Sequence, residues 1–175
     1  FGDIRDFQSI SSLTLYNKDG DTGGLTAEDF YKADFDSLYT ARNESRIEHE
    51  FIDVNDEYPD GFQKNVKSVR WSGEIESDQS GIHKFNLYCS GYTKMWLNGE
   101  LVVDSWRQNW LPWTHLLKLY IEAGKRYAVK IEWVHIDGYI GFKYLTPEDG
   151  IFRNSLSLYS EVGDQIDYYF VKGEN

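Results

Sequence analysis

Apolar and polar residues alternate along most of the chain from Val66 onward. Phe85, Leu87 and Cys89 are a clear example, because one residue separates each from the next. A period of two places successive side chains on opposite faces of a strand, so each such segment predicts a strand with one buried face. The pattern recurs in four further sets of apolar positions: Val69, Trp71 and Ile75; Leu117, Leu119 and Ile121; Val129, Ile131 and Trp133; Ile140, Phe142 and Tyr144.

Short turn sequences separate these predicted strands. Asn98-Gly99 lies between two apolar runs and predicts a hairpin, because both residue types tolerate positive φ. Residues 123–125 and Asp137-Gly138 predict further turns at similar spacing. Strands do not alternate with helices, so the pattern predicts an all-β antiparallel sandwich or barrel.

The first third of the chain and its end have weaker patterns. Residues 13–16 and 166–171 each predict a short strand. Residues 36–51 are the best helical candidate, through Leu38, Ala41, Ser45 and Ile47, although a strand beginning at Ile47 fits the later part equally well.

Composition and charge restrict the class of partner. The chain has 175 residues, enough for one domain, and 18 Lys+Arg against 29 Asp+Glu give a net charge of −11. Phosphate binding needs a basic surface, so we expect neither a nucleic-acid partner nor an anionic membrane partner. No apolar run reaches membrane-spanning length. Cys89, the single cysteine, has no partner for an intrachain disulfide.

Aromatic residues form 17% of the chain, and three indoles fall within residues 106–113. Arg107, a glutamine and an asparagine separate Trp106 from Trp110, and a leucine and a proline separate Trp110 from Trp113. Indole faces stack on the C–H faces of sugar rings while the polar groups bind hydroxyls, so the segment predicts a carbohydrate site. The alternative is that the indoles cap the end of the core, and we expect at least one of the three to be structural.

Other candidate chemistry is weaker. Carboxylates occur in pairs, as a glycosidase requires, but nothing in the sequence singles one out, so we expect solvated surface and no catalytic residue. The acidic segment 53–57 lacks the glycine of an EF-hand loop, and the four histidines have no metal-ligand spacing. We therefore expect neither a metal site nor a cofactor. The paired carboxylates are Glu48 and Glu50; Asp53, Asp56 and Glu57; Asp164 and Asp167.

Four segments together resemble a protective-antigen-type domain. They are SVRWSGEI (68–75), SGIHKFNL (80–87), MWLNGELVVDSW (95–106) and EAGKRYAVKIEW (122–133). The resemblance covers residues 24–147, with the segments in the family's order and spacing, and it implies an antiparallel β-sandwich.

The segment WRQNWLPW (106–113) is similar to the variant of this domain inserted in glycoside hydrolase family 31 enzymes, in particular α-xylosidases that act on xyloglucan. FGDIRDF (1–7) and SEVGDQIDYYF (160–170) resemble the host's split β-sandwich. The resemblance implies host flanks at residues 1–22 and 151–175 around an inserted domain at 23–150. The host's catalytic barrel is absent, so this chain inherits no catalytic residue and is not itself an enzyme.

One position departs from the family's calcium-dependent adhesins. Adjacent aspartates precede a glycine there, whereas this chain has Cys89-Ser90-Gly91. A thiol and a hydroxyl do not replace two hard carboxylate ligands, so we expect no calcium site of that kind.

The resemblance implies a non-catalytic carbohydrate-contact module that extends its host's substrate cleft. Weak binding of an oligosaccharide, with Kd about millimolar, is expected of such a partial site. The alternative is a structural spacer that packs against the host catalytic domain or another subunit. Such hosts work outside the cytoplasm, in the periplasm or at the cell surface. The predicted contact residues are three stacking indoles, two residues that orient hydroxyls or hold the loop, and one further ring: Trp106, Trp110 and Trp113; Arg107 and Asp104; Tyr92.

Overall fold

A computed structural model describes residues 13–50, 66–108, 111–135, 138–145 and 167–171. Every regular element in this part of the chain is a β-strand, and none is a helix that could cross a membrane. The strands are β1 (Leu13–Asn17), β2 (Leu25–Phe30), β3 (Leu38–Glu44), β4 (Ile47–Glu50), β5 (Ser68–Ser77), β6 (Gly81–Cys89), β7 (Tyr92–Leu97), β8 (Glu100–Ser105), β9 (Trp113–Ile121), β10 (Arg126–Val134), β11 (Tyr139–Leu145) and β12 (Asp167–Val171).

The strands form two sheets. The first has the order β3-β2-β5-β10-β7-β8, with β1 also paired to β5, and the second has the order β12-β9-β6-β11-β4. All pairs are antiparallel except β12 with β9, which run parallel. The predicted all-β antiparallel sandwich is therefore confirmed, with this one exception.

The core lies between the two sheets and follows the predicted alternation. Trp71 and Trp133 of the first sheet are fully buried, with ring centroids 6.3 Å apart. Phe85 and Leu117 are the corresponding buried side chains of the second sheet. Burial of such large apolar side chains contributes about 2–3 kcal/mol each and is the main stabilising term. Sequence periodicity thus identified the inward faces of the central strands.

The Asn98-Gly99 hairpin is also confirmed. Asn98 and Gly99 have φ values of 48° and 78°, so both central residues of the turn are left-handed. The side-chain Oδ1 of Asn98 also accepts a hydrogen bond from the Ala128 amide at 2.8 Å, which ties the turn to β10.

The two terminal strands predicted from sequence are present as β1 and β12. The first pairs with residues 73–77 of β5, and the second pairs with residues 115–119 of β9. Both therefore extend the two sheets of the sandwich. The domain boundaries at residues 22 and 150 stay a prediction.

The helix considered for residues 36–51 is wrong, because β3 and β4 occupy most of this segment. Arg42 and Glu44 face the interior, where Arg42 makes an ion pair with the buried Asp29. Charged residues at inward positions conceal the period-two pattern of β3. The alternative, a strand beginning at Ile47, is confirmed.

Candidate functional site

The predicted contact residues fall into two groups at the ends of β8 and β9. Trp106 follows β8 and contacts Tyr92 of β7, whereas Trp113 begins β9 in the other sheet. Asp104 belongs with the first group and Arg107 with the second. Trp110 lies outside the described residues.

Trp106 lies on the outer face of the first sheet. Its neighbours Tyr92 and Lys94 occupy outward positions of β7, since Thr93 and Met95 between and beside them are fully buried. The Trp106 ring centroid is 5.7 Å from that of Tyr92 and 5.1 Å from Lys94 Nζ. The side chain is 40% exposed, a large fraction for tryptophan, which is usually mostly buried. The ring therefore offers apolar surface to solvent beside an ammonium group.

Asp104 supports the start of the loop that carries this indole. Its Oδ1 accepts a hydrogen bond from the Trp106 amide at 3.3 Å, an Asx-type arrangement. The carboxylate is exposed and lies opposite Lys94 in the pairing of β7 with β8. Asp104 thus positions Trp106, and its exposed carboxylate is accessible to a hydroxyl group.

Phe35 completes the aromatic surface and was missed by the sequence analysis. Its ring centroid lies 6.3 Å from Trp106 and 5.8 Å from Phe30. Phe35 has a φ of 59°, which is rare for a bulky residue and costs about 1–3 kcal/mol. Side-chain acceptors sustain the turn, because Asp34 Oδ1 accepts from the Asp36 amide and Asp36 Oδ1 from the Ser37 amide. These closely spaced aspartates were the available sequence signal for a turn.

A row of alternating charges crosses the same outer face. Strand register aligns Asp104, Lys94, Glu132, Arg70 and Glu28 on five neighbouring strands. Arg70 Nε donates to Glu132 Oε1 at 2.9 Å, and its guanidinium carbon lies 5.0 Å from the Phe35 ring. Glu132 is thus engaged by Arg70, and Lys94 remains placed against the Trp106 indole. Cross-strand pairing of opposite charges also stabilises the sheet here.

The second group, Trp113 and Arg107, lies where β9 of the second sheet begins. Trp113 has the same parity along β9 as the buried His115 and Leu117, so its half-buried ring borders the interior. The Arg107 guanidinium carbon lies 4.4 Å from the Trp113 ring centroid. This is a cation–π contact, worth about 0.5–1 kcal/mol at an exposed site. The Trp113 ring therefore contributes to packing at the border of the core, and its predicted contact with carbohydrate stays a prediction.

Among the paired carboxylates, Glu48 has partners just before its own strand and on the neighbouring β11. Glu48 forms ion pairs with Arg46 and Lys143 and accepts a hydrogen bond from the Tyr139 hydroxyl. The described residues contain no cluster of His, Cys, Asp or Glu that would hold a metal ion. The paired carboxylates outside the described residues are Asp53, Asp56, Glu57 and Asp164.

In the Cys89-Ser90-Gly91 segment, Ser90 makes two hydrogen bonds within the fold and the Cys89 side chain is buried. Ser90 Oγ accepts a hydrogen bond from the Tyr139 amide at 2.8 Å, and the Ser90 carbonyl accepts from the Trp133 indole N–H at 2.7 Å. Cys89 is 2% exposed, and its burial raises the pKa of the thiol to about 12. The thiol is therefore protonated and unreactive at neutral pH.

Solved structures of two glycoside hydrolases contain domains similar to this chain. An α-xylosidase of glycoside hydrolase family 31 from Xanthomonas citri contains a similar structure, with a TM-score of 0.64 and 40% identity. The match covers 78% of this chain and 15% of that one. A β-glucosidase from Kluyveromyces marxianus matches 85% of this chain and 19% of its own, with a TM-score of 0.56 and 20% identity, which shows the fold alone.

Proteins of a different kind share the same domain. The anti-sigma-I factor RsgI3 of Acetivibrio thermocellus is 28% identical over an alignment of 130 residues, which covers 71% of this chain and 20% of that protein. This chain thus spans only about a fifth of that relative. The PA14 domain family matches residues 21–155, more than three quarters of the sequence, and includes the four segments quoted above. The chain belongs to the PA14 domain family.

Proposed function

We propose that this chain is a non-catalytic carbohydrate-contact module of an α-xylosidase-like glycoside hydrolase, and that it extends the substrate cleft of its host. The single observation that carries the proposal is the exposed Trp106 ring, grouped with Tyr92, Phe35 and Lys94 on the outer face of the first sheet. A site that combines apolar ring surface with a few placed polar groups is typical of sugar recognition.

The chemistry of each group fits this role. The indole supplies a flat apolar face for a pyranose ring, and the three donors of the Lys94 ammonium reach hydroxyl oxygens. Asp104 accepts hydrogen bonds from hydroxyl groups while it holds the Trp106 amide. Arg107 directly follows Trp106 in sequence and stacks on Trp113, so its five N–H donors either bind hydroxyls or hold the loop.

The relatives support a glycoside hydrolase context. The α-xylosidase shares 40% identity with this chain, which covers only 15% of it, so such a host would supply a catalytic domain elsewhere. Xyloglucan oligosaccharides are the proposed ligands because the segment 106–113 resembles the variant found in xyloglucan-active enzymes. The proposed location is the periplasm or cell surface, and the proposed partners are the oligosaccharide and the host catalytic domain.

The test is a titration of this chain with xyloglucan oligosaccharides, followed by tryptophan fluorescence. We expect a saturable change with Kd about millimolar that Trp106→Ala abolishes. Trp113→Ala should retain the change, since that ring borders the core. Tyr120→Ala, which removes an exposed ring on the other sheet, is the matched control. No saturable change at high sugar concentration, with the fold intact, would refute the proposal.

A second function is favoured by one observation. Leu111, two residues before Trp113 in sequence, is 76% exposed and offers an apolar side chain that a protein partner would cover. In this alternative the chain is a spacer or assembly module that packs against the host catalytic domain. Sedimentation and thermal stability of the parent enzyme with Leu111→Ser test it, and unchanged values would exclude it.

A further inference from the structure

A second tryptophan lies on the same outer face as Trp106. Trp96 belongs to β7, and its neighbours Met95 and Leu97 are fully buried, so its half-buried side chain points outward. Lys130 Nζ lies 3.8 Å from the Trp96 ring centroid. The sequence pattern presents Trp96 as an ordinary residue of a strand next to a hairpin turn, and it gave no reason to select this ring.

The surroundings of Trp96 repeat those of Trp106. Each indole has a lysine ammonium near its ring, Lys94 at 5.1 Å and Lys130 at 3.8 Å. A carboxylate accompanies each lysine: Asp104 lies opposite Lys94 in the strand register, and Glu132, whose Oε1 also accepts from Arg70 Nε, is 4.0 Å from Lys130. Both places therefore combine apolar ring surface with a hydrogen-bond donor and an acceptor, as recognition of a polyhydroxylated ring requires.

The two indoles are separated along one strand. Trp106 packs on Tyr92, and Tyr92 and Trp96 are four residues apart on β7, or about 13 Å at the rise of an extended strand. A single pyranose ring is too small to contact both places. An oligosaccharide that lies along β7 spans them, and Lys94, halfway between, donates to its middle units.

In the part of the chain that the structure describes, β7 lies next to the edge strand of the first sheet. Among the described residues, β8 is the one strand beyond β7 in the first sheet, and its residue paired with Trp96 is Leu101, which is 43% exposed. Lys130 is also 43% exposed at its side chain, so its flexible stem gives way when a ring approaches the indole.

We propose that the outer face of the first sheet along β7 binds an extended oligosaccharide through two subsites, Trp106 with Lys94 and Trp96 with Lys130. The inference rests on the proposed function and adds to it a second contact site and a preference for chain length. The ligand class is a glycan of several units, and monosaccharides occupy the Trp106 subsite alone.

The experiment measures affinity against ligand length for the full chain. Xylose and xyloglucan oligosaccharides of increasing length are titrated by calorimetry into the wild type, Trp96→Ala, Trp106→Ala and Tyr120→Ala. In the wild type we expect the longer ligands to bind about tenfold more tightly than the shorter ones. Trp96→Ala should remove this gain without changing the affinity for short ligands, whereas Trp106→Ala should weaken both.

A measurement on the wild type avoids dependence on the folding of the variants. The indole N–H signals in nitrogen-15 NMR spectra report each tryptophan separately, and long ligands should shift those of both Trp96 and Trp106. A length gain that persists in a folded Trp96→Ala variant, or a Trp96 signal that no ligand shifts, would overturn the second subsite while the Trp106 site stands. Absence of any response to any ligand would overturn the proposed function as well.

Discussion

Trp71 of β5 donates its indole N–H to Glu44 Oε2 of β3 across 2.6 Å, inside the sandwich. The other oxygen of Glu44 pairs with His49 Nε2 of β4, which belongs to the second sheet. The His49 ring also stacks on Trp71, with centroids 5.9 Å apart. Glu44 therefore connects the two sheets through β3 and β4, which are edge strands of their sheets. A buried indole N–H needs an acceptor, and this carboxylate provides it.

Replacement of Glu44 should be strongly destabilising. Glu44→Ala removes the acceptor of the Trp71 N–H and one partner of the His49 ring, and we expect a loss of about 2–4 kcal/mol in the free energy of unfolding. Glu44→Gln keeps an oxygen acceptor and should lose less. Urea unfolding at neutral pH measures both, with the exposed hairpin residue Glu100→Ala as the control. Equal losses in the Ala and Gln variants would show that the acceptor is unimportant.

Gly73 should not tolerate a side chain, because β1 pairs closely with β5 at this position. A Cβ at this position would lie 2.1 Å from the Tyr16 carbonyl oxygen, so Gly73→Ala forces β1 away from its partner. We expect a loss of more than about 2 kcal/mol and faster amide exchange in β1. Gly81→Ala is the matched control, because Gly81 has a similar φ but no atom within 4 Å of the added Cβ. Similar losses in both variants would attribute the effect to backbone strain alone.

The sequence predicted the parts of the fold in which one face of a strand is uniformly apolar. Val129, Ile131 and Trp133 alternate with charged or small residues, and all three are buried as expected. The pattern failed for β3, because Arg42 and Glu44 face inward and find their partners on other strands: Asp29 of β2 for Arg42 and the Trp71 indole N–H of β5 for Glu44. Buried polar networks depend on tertiary pairing, which periodicity does not report.

The same limit applied to the candidate site. Trp106 was selected because it falls in an aromatic segment, but the rings and cations around it come from other strands. Phe35 lies beside Trp106 because the Phe35 backbone has a positive φ although the residue is not glycine. Lys94 lies beside Trp106 because β7 pairs with β8. The segment 106–113 suggested one cluster, whereas strand geometry directs Trp106 and Trp113 to different surroundings. Local sequence thus found the ring but not its neighbours.

Asp29 should make stability fall as pH rises above the ordinary range of aspartate. Its burial raises the pKa, an effect that the neighbouring Arg42 only partly offsets. The unfolded chain therefore releases this proton at lower pH than the folded chain, and stability decreases from about pH 4 up to the raised pKa. Asp29→Asn should remove this decrease, which urea unfolding at a series of pH values between 4 and 7 would measure.

Glu48 provides the opposite case and serves as the comparison. Partial burial opposes ionisation of Glu48, but Lys143, Arg46 and the Tyr139 hydroxyl outweigh it and lower the pKa. Its contribution is present above the usual glutamate pKa near 4.5 and is lost as pH falls through the lowered pKa. Glu48→Gln should therefore reduce stability at neutral pH and have less effect in acid. Parallel pH profiles for the Asp29→Asn and Glu48→Gln variants would contradict both assignments.

Cys89 should report global unfolding. The thiol is buried, its pKa is raised to about 12, and it is the single cysteine of the chain. At pH 8 only about one molecule in ten thousand carries the reactive thiolate, so alkylation of the folded protein should be very slow. Labelling with iodoacetamide, followed by mass spectrometry, should track the urea transition seen by fluorescence. Rapid labelling without denaturant would show that the second sheet opens locally at β6.

Asp104 should act on sugar binding through the position of Trp106. Its Oδ1 accepts the hydrogen bond from the Trp106 amide, so Asp104→Ala frees the start of the loop, whereas Asp104→Asn retains an acceptor. We expect the Ala variant to bind xyloglucan oligosaccharides about threefold to tenfold more weakly and the Asn variant to resemble the wild type. Nitrogen-15 relaxation of the Trp106 indole distinguishes the mechanism, because a positioning role requires lower order in Asp104→Ala. Unchanged order together with weaker binding would mean that Asp104 acts only through its direct contact with the sugar, which would contradict the positioning role.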